Sequence, residues 1–296
     1  MLILKGVSDE VNAVRFTPDG RGLVTSTSWG DQLWADWSSG GKPVTIGELS
    51  EGAAWDSPDG RYALCAGGGH AILYDKATGT TAVLDSPLQE NSVALAAFTP
   101  DSERVITQTY PTGDLRCYHI EAPHAVVWSV PKQELVAHLA FVNDGRFVAF
   151  EYVDQILGRV AVTHDATTGS PVGEVRVDIP YTLKGLTTSP DRRIIVGYDA
   201  SKFFVYQSAD LAAASVVVRN TSRKSFSGLA FHPAGRILAA TSNDASVKLY
   251  DVATWAVTRT LDWSIGRLRS VAFSPDGTLA AAGGDKGLVV VWDFDE

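Results

Sequence analysis

The sequence predicts an all-β fold built from seven copies of one structural unit. The same tight turn recurs at steps of 40 to 47 residues, and each turn separates two short apolar runs. These runs contain the alternation and β-branched residues of strands, and no sustained 3.6-residue apolar pattern indicates a helix. A period in this range is typical of arrays of supersecondary units. The seven turns are Thr17–Gly20, Ser57–Gly60, Thr99–Ser102, Val142–Gly145, Ser189–Arg192, His232–Gly235 and Ser274–Gly277.

The sixth unit shows most clearly how each copy is built. Two apolar runs, Phe226–Phe231 and Arg236–Thr241, flank its turn and predict the first two strands. A polar joint then leads to Val247–Asp251, and a bend leads to Val257–Leu261. Asn, Asp and Gly at the joints are typical of hairpin turns. Each unit is therefore predicted to be a four-stranded antiparallel meander.

The composition of the recurring turn has a physical reason. Proline at its second position sets φ near −65°, Ser or Thr at the first can bond back to the backbone, and glycine suits the fourth. An aspartate recurs at the third position, and its periodicity favours stabilisation of each turn over a ring of catalytic carboxylates. The aspartates at or near these turns are Asp19, Asp59, Asp101, Asp144, Asp191 and Asp276.

A single sheet of this kind cannot cover both of its faces, whereas radial packing of identical sheets does so and leaves few edges. We therefore predict one domain over residues 1–296, a seven-bladed β-propeller. The seventh unit ends at Glu296 after its third strand, and Leu2–Gly6 resembles a fourth strand. These first residues should pair with Leu288–Trp292, so that 268–296 and about 1–6 form the last blade and close the ring. This closure implies a complete chain.

With this pattern of turns and strands, the sequence resembles the WD40-repeat family of β-propellers over essentially its whole length. The family is named after a Trp-Asp pair that closes the third strand. In the first unit, ungapped alignment places Ala35-Asp36 at this closing position, and a register shifted by one residue is the alternative. Matching or variant pairs in the other units are Tyr74-Asp75, Tyr118-His119, His164-Asp165, Tyr206-Gln207, Tyr250-Asp251 and Trp292-Asp293.

The chain departs from the family before the first strand of each repeat. The family's Gly-His pair is absent, and Lys5-Gly6-Val7 preserves only its glycine. The family's hydrogen-bonded tetrad of His, Ser/Thr, Asp and Trp therefore cannot form completely. Asp244 and Asp285 still occupy the turn position that supplies the acid. We expect a divergent member held together mainly by apolar packing.

Composition excludes several classes of partner. The 296 residues include 34 acidic and 25 basic ones, for a formal charge of −9. Without Lys/Arg clusters, binding to nucleic acid or to an anionic membrane is not expected. No apolar run is long enough to span a bilayer, and the N-terminus lacks a signal-peptide pattern. We expect a soluble, cytoplasmic protein whose two cysteines, Cys65 and Cys117, are reduced thiols.

No motif predicts chemistry. Gly67–His70 falls at a turn between strands and lacks the helix and the Lys-Ser/Thr of a phosphate-binding loop. The six histidines are scattered over several repeats, and no acidic group has calcium-loop spacing. We expect no catalytic residue, cofactor or metal. The alternative is a small-molecule enzyme with its site at the propeller axis, as in other propeller families.

The resemblance implies a non-catalytic platform for a protein or peptide partner, with the chain monomeric on its own. The turns between second and third strands and the connections into first strands share one face, at the mouth of the central channel. Aromatic residues and arginine are enriched at binding hot spots, although single rings can instead pack onto neighbouring blades. The fourth unit is predicted to carry a longer loop over 152–158. The candidate partner-binding residues are Trp29, Tyr110, Tyr152, Tyr181, Tyr198, Trp263 and Arg267.

Overall fold

The computed structural model describes residues 1–7, 9–28, 30–45, 53–67, 70–75, 77–85, 92–110, 113–131, 136–143, 145–154, 158–177, 183–212, 214–222 and 224–294. For 53–56, 65–67, 70, 85, 92–94, 110, 152–154 and 158–159 the description covers the backbone only. Every helix-or-strand element in these ranges is a strand, and 28 strands form seven four-stranded antiparallel sheets. The predicted fold class, an all-β seven-bladed propeller, is confirmed. Within the described ranges, no helix has the length and apolarity to cross a membrane.

The strands follow the chain order of the repeats. Sheets 1 to 3 contain β1 (Leu2–Lys5, which joins sheet 7), β2 (Ala13–Phe16), β3 (Leu23–Thr27), β4 (Gly30–Trp34), β5 (Val44–Thr45); β6 (Ala53–Asp56), β7 (Tyr62–Gly67), β8 (His70–Asp75), β9 (Thr80–Asp85); β10 (Ser92–Phe98), β11 (Arg104–Tyr110), β12 (Leu115–His119), β13 (Val126–Val130). Sheets 4 to 7 contain β14 (Val136–Val142), β15 (Arg146–Asp154), β16 (Gly158–Asp165), β17 (Pro171–Val177); β18 (Gly185–Thr188), β19 (Ile194–Tyr198), β20 (Lys202–Gln207), β21 (Val216–Arg219); β22 (Phe226–Phe231), β23 (Ile237–Ser242), β24 (Ser246–Asp251), β25 (Val257–Asp262); β26 (Leu268–Phe273), β27 (Leu279–Gly284), β28 (Leu288–Asp293).

The chain divides into two compact units. The first comprises residues 1–48, 182–209 and 214–296, and it contains sheets 1, 5, 6 and 7. The second comprises residues 49–181 and 210–213, and it contains sheets 2, 3 and 4. Within each unit, apolar clusters fill the space between neighbouring sheets, as between sheets 5 and 6 or sheets 3 and 4. A single domain over 1–296 stays a prediction.

The N-terminal strand completes the last sheet, as the sequence predicted. Strand β1 pairs antiparallel with β28, with Leu2 opposite Val291 and Lys5 opposite Leu288. Leu4 is only 2% exposed and packs in an apolar cluster with Val291 and with Trp34 of sheet 1. The first residues therefore contribute buried apolar surface as well as backbone hydrogen bonds.

The recurring turns are held by their own side chains. In sheet 7 the Ser274 hydroxyl donates to Asp276 Oδ1 at 2.6 Å and accepts the Leu279 N–H at 2.9 Å. The Ser274 hydrogen bond lowers the pKa of Asp276. Equivalent bonds confirm the predicted turn role for four further aspartates, while Asp144 lies outside the described residues. These four are Asp19, Asp59, Asp101 and Asp191.

The register of sheet 1 corrects the ungapped alignment by one residue. Leu23 lies opposite Trp34, just as Leu238 lies opposite Tyr250 and Ala280 opposite Trp292. The closing pair of the first unit is therefore Trp34-Ala35, not Ala35-Asp36. The Trp34 indole N–H donates to Thr25 Oγ1 at 3.2 Å in the buried interior. Sheet 1 thus has a Trp and a Thr where the resemblance places two members of the tetrad.

Sheet 6 contains a buried polar network around Asp244, the turn residue at the position of the tetrad acid. Lys248 of β24 is 5% exposed, and its Nζ donates to Asp244 Oδ2 at 2.9 Å and to Asn220 Oδ1 at 3.0 Å. Asn220 in turn donates to the Ser242 hydroxyl at 2.9 Å. The Ser222, Ser246 and Lys248 side chains together lower the pKa of Asp244 despite its partial burial. This sheet is therefore held by a charged network in addition to apolar packing.

The predicted longer loop of the fourth unit is wrong over part of its length. Residues 152–154 continue β15, and Gly158 begins β16, with Tyr152 opposite Arg159 and Asp154 opposite Gly158. Residues 155–157 lie outside the described ranges. The extra residues mainly lengthen two paired strands, because Tyr and Val favour the extended backbone.

Candidate binding site

A pocket of about 410 Å³ lies at one end of sheets 5, 6, 7 and 1, entirely within the first unit. In an antiparallel meander, the start of the first strand and the turn between the second and third strands lie at the same end. The first strands β18, β22, β26 and β2 are neighbours in that order. Four sheets therefore direct both kinds of segment towards one place. We call this the strand-end pocket, and its walls include Asn12, Lys184, Tyr198, Asn243, Arg267 and Asp285.

Tyr198 forms one wall of the strand-end pocket. It is the last residue of β19, opposite Gly185 of β18, so it lies in a strand and not in the turn that the sequence indicated. A Cβ at Gly185 would lie 2.7 Å from the tyrosine ring, which shows that the ring covers this glycine. The phenol donates to the Ser227 carbonyl at 3.1 Å, and burial raises the pKa of Tyr198. The ring is thus a rigid, partly packed surface.

Arg267 is held by its backbone and leaves its guanidinium exposed. Its N–H donates to Asp285 Oδ1 at 2.9 Å, and the Asp285 N–H donates to the Arg267 carbonyl at 3.0 Å. The preceding Gly266 has φ +98°, and a side chain there would collide with the Asp285 carboxylate. Among the described residues, no side chain or backbone group pairs with the guanidinium. It is therefore available to a ligand.

The remaining charges in the strand-end pocket differ in how they are compensated. Arg269 of β26 forms an ion pair with Glu10, which precedes β2. Lys184, immediately before β18, is exposed, and its ammonium has no partner among the residues that the structure describes. Counting all lining residues, three cations face two carboxylates. The pocket is thus locally cationic in a chain whose formal charge is −9.

Trp263 lies in the connection between sheets 6 and 7, and its ring is packed. The ring centroid is 4.5 Å from that of Trp292, at an interplanar angle of 39°. Trp263 is half-buried against the apolar cluster between these sheets, close to Ile265 and Leu268. The ring has a core to fill, which is the alternative that the sequence left open for each aromatic residue.

Replacing Trp263 by alanine is expected to lower the free energy of unfolding by about 2–3 kcal/mol, because the half-buried ring leaves a cavity beside Trp292. Urea denaturation followed by circular dichroism measures the change. Tyr74→Ala is the control, since Tyr74 is 38% exposed and should cost less than about 1 kcal/mol. Unchanged stability of the Trp263 variant would show that the ring is free to bind a partner.

The other sequence-predicted site residues cannot be placed in the pocket. Trp29 and Tyr181 lie outside the described residues. Tyr110 ends β11 and Tyr152 lies within β15, both in the second unit, and their side chains are not described. Of the seven candidates, the strand-end pocket therefore brings together Tyr198 and Arg267.

The pocket also contains polar residues that the sequence analysis missed. Lys184 and Asn12 precede first strands, Arg269 lies within one, and Asn243 lies in a turn between second and third strands. They are not the aromatic residues of turns and connections that the hot-spot criterion selects. Their positions within the repeat could have indicated them, because the start of a first strand and the turn between second and third strands lie at the pocket end of each sheet.

Comparison with known families identifies two of the repeats. Residues 217–251 and 256–293 match the family model WD40, described as WD domain, G-beta repeat. Each match begins in an outer strand and continues through the first three strands of the next sheet. Sheets 6 and 7 contain WD40 repeats. The resemblance inferred from the sequence is thereby confirmed, and both matched repeats contribute to the strand-end pocket.

Three curated proteins are similar to parts of the chain. The WD repeat-containing protein VIP3 of Arabidopsis thaliana is 41% identical over 66 residues, 22% of this chain and 21% of its own length. Telomerase protein component 1 of Mus musculus is 28% identical over 116 residues, 39% of this chain and 4% of its own. Pre-mRNA-processing factor 19 homolog 2 of Arabidopsis thaliana is 27% identical over 124 residues, which are 38% of this chain and 23% of its own length. Each match spans less than a quarter of the relative.

Proposed function

We propose that this WD40-repeat protein is a non-catalytic platform that binds a protein or peptide at the strand-end pocket. The observation that carries the proposal is the pocket itself, where exposed polar side chains stand on the ends of paired strands. Its volume of about 410 Å³ accommodates several side chains of an extended segment. Tyr198 supplies a rigid aromatic wall and Arg267 a free guanidinium, two residue types enriched at binding hot spots.

The state of the pocket's carboxylates favours binding over catalysis. Glu10 is paired with Arg269, and Asp285 accepts the Arg267 N–H. A general base or a nucleophile needs a carboxylate that can reach the substrate and exchange protons. Here both carboxylates hold the framework of the pocket.

The comparisons support the same proposal. WD40 repeats are generally interaction modules, and one relative is by name a protein component of telomerase. A role within an assembly fits a pocket that is lined by charged and aromatic side chains and whose carboxylates are engaged within the protein.

The proposal is tested by selecting random dodecapeptides on the immobilised full chain and on a variant with a filled pocket. Asn243→Trp places a large ring in the pocket from an exposed turn of sheet 6. Ala253→Trp adds the same ring at the opposite end of the same sheet, where Ala253 is exposed. We expect enriched peptides on the wild type and on Ala253→Trp, and at least about tenfold weaker capture on Asn243→Trp.

Two controls make this selection decisive. Circular dichroism and a thermal unfolding midpoint must match for the three proteins, so that lost capture reflects the filled pocket. Equal capture by all three would move the binding face away from the strand-end pocket. No enrichment on the wild type would contradict peptide binding altogether.

A further inference from the structure

We propose that the strand-end pocket recognises a single carboxylate of its peptide ligand, held between Arg267 and Lys184. This inference rests on the proposed function and names the chemistry that the pocket selects. Both cations line the pocket, both are exposed, and among the described residues neither the Arg267 guanidinium nor the Lys184 ammonium is paired. Unpaired cations that converge on one concave site provide a favourable position for an anion.

The third cation of the pocket is not available in the same way. Arg269 forms its ion pair with Glu10, so its charge is compensated within the protein. Asp285 has one carboxylate oxygen engaged by the Arg267 N–H, which keeps this acid against the backbone. The N–H groups of the Arg267 guanidinium remain free to donate, and they can bind a carboxylate through two parallel hydrogen bonds.

The charge balance favours one negative charge over two. Three cations face two carboxylates, and a singly charged carboxylate neutralises the remaining positive charge. A doubly charged phosphate would add a second negative charge close to Glu10 and Asp285, where like charges repel. Neutral amides complete the site, since Asn12 and Asn243 also line it and can donate to a ligand oxygen.

The overall negative charge of the protein opposes binding of an acidic peptide everywhere except near the pocket cations. At −9 the chain repels acidic peptides at long range, so capture of such a peptide depends on the pocket cations. Charge-assisted hydrogen bonds to a carboxylate are strong enough to give about tenfold discrimination against its neutral isostere.

The experiment uses defined octapeptide sets with one fixed position and random residues elsewhere. The fixed residue is Glu, Gln or phosphoserine, and each set is made both with a free C-terminal carboxylate and with a C-terminal amide. Retention on the immobilised full chain is measured by mass spectrometry. We expect the Glu set to be retained about tenfold better than the Gln set when both are amidated.

Protein variants then locate the carboxylate. Arg267→Ala and Lys184→Ala should each remove most of the Glu preference. Arg259→Ala and Lys42→Ala are the matched controls, because both residues are exposed on the same unit and lie outside the pocket. The controls should retain the Glu set as the wild type does.

The outcomes separate this inference from the proposed function. Equal retention of the Glu and Gln sets that does not change between free and amidated C-termini, and that is lost on Asn243→Trp, would overturn carboxylate recognition and leave peptide binding at the pocket intact. Preference for phosphoserine would also overturn it. Better retention of the sets with free C-termini than of the amidated sets, equal for Glu and Gln, would assign the carboxylate to a chain end. A Glu preference among the amidated sets assigns it to a side chain, and both results support the inference. No retention of any set on the wild type would overturn both proposals.

Discussion

Deleting residues 1–5 is expected to lower the free energy of unfolding by at least about 3 kcal/mol. The deletion removes Leu4, which is 2% exposed, and the four residue pairs that join β1 to β28. It also exposes the backbone edge of β28, whose residues Val289–Val291 are buried in the intact protein. Urea denaturation measures the loss, and light scattering reports association through the exposed edge.

Two point variants separate the side chain from the strand pairing. Leu4→Ala should account for about 2–4 kcal/mol of the loss, because it leaves a cavity beside Val291 and Trp34. Lys5→Ala changes an exposed residue of the same strand and should stay within about 0.5 kcal/mol of wild type. If the deletion lowers the free energy of unfolding by less than about 1 kcal/mol, the pairing of β1 with β28 does not stabilise sheet 7.

Asp244→Asn is expected to lower the free energy of unfolding by about 3 kcal/mol at pH 7, because it leaves the buried Lys248 ammonium without its counter-charge. In the double variant Asp244→Asn/Lys248→Met much of the loss should be recovered, since neither charge is then buried. Chemical denaturation of the two single variants and the double variant gives their coupling energy. Losses that simply add would show that the two side chains do not stabilise each other.

The same pair predicts how stability depends on pH. The pKa of Asp244 is lower in the folded state than the value of about 3.9 expected in the unfolded chain. Its contribution is therefore fully present above pH of about 5 and is lost as the pH falls towards the folded-state pKa. The stability difference between wild type and Asp244→Asn should shrink as the pH is lowered below about 4. A constant difference would assign the cost of the substitution to packing.

The fold could be predicted from the sequence because its signals are local. Each Pro-Asp-Gly turn and each alternating strand is specified within a few residues, and seven copies in phase reinforce one another. The structure places the strands of sheet 6 within one residue of the predicted starts and ends. The register of sheet 1 was one residue off because Trp34 and Trp37 flank the closing position given by ungapped alignment. Only the pairing with Leu23 selects Trp34.

The candidate site was predicted less well, since a side chain's partner decides its role. Tyr198 and Arg267 do line one pocket, but the packing of Trp263 on Trp292 could not be inferred from its place in a connection. Lys184 and Asn12 lie 172 positions apart in the chain, and no local pattern links them. Likewise, no motif indicated that Lys248 is buried with Asp244.

The seven repeats, the four-stranded sheets and the pairing of the first strand with the last sheet all follow from the amino-acid sequence. Hydrophobic alternation and turn geometry act over a few residues, so they can be read in order along the chain. Which charges are compensated depends on the packing of the sheets in three dimensions. Glu10 forms an ion pair with Arg269, more than 250 residues away in the chain, while the charged groups of Lys184 and Arg267 remain unpaired among the described residues. Such electrostatic balance depends on distances between sheets, which the one-dimensional repeat does not contain.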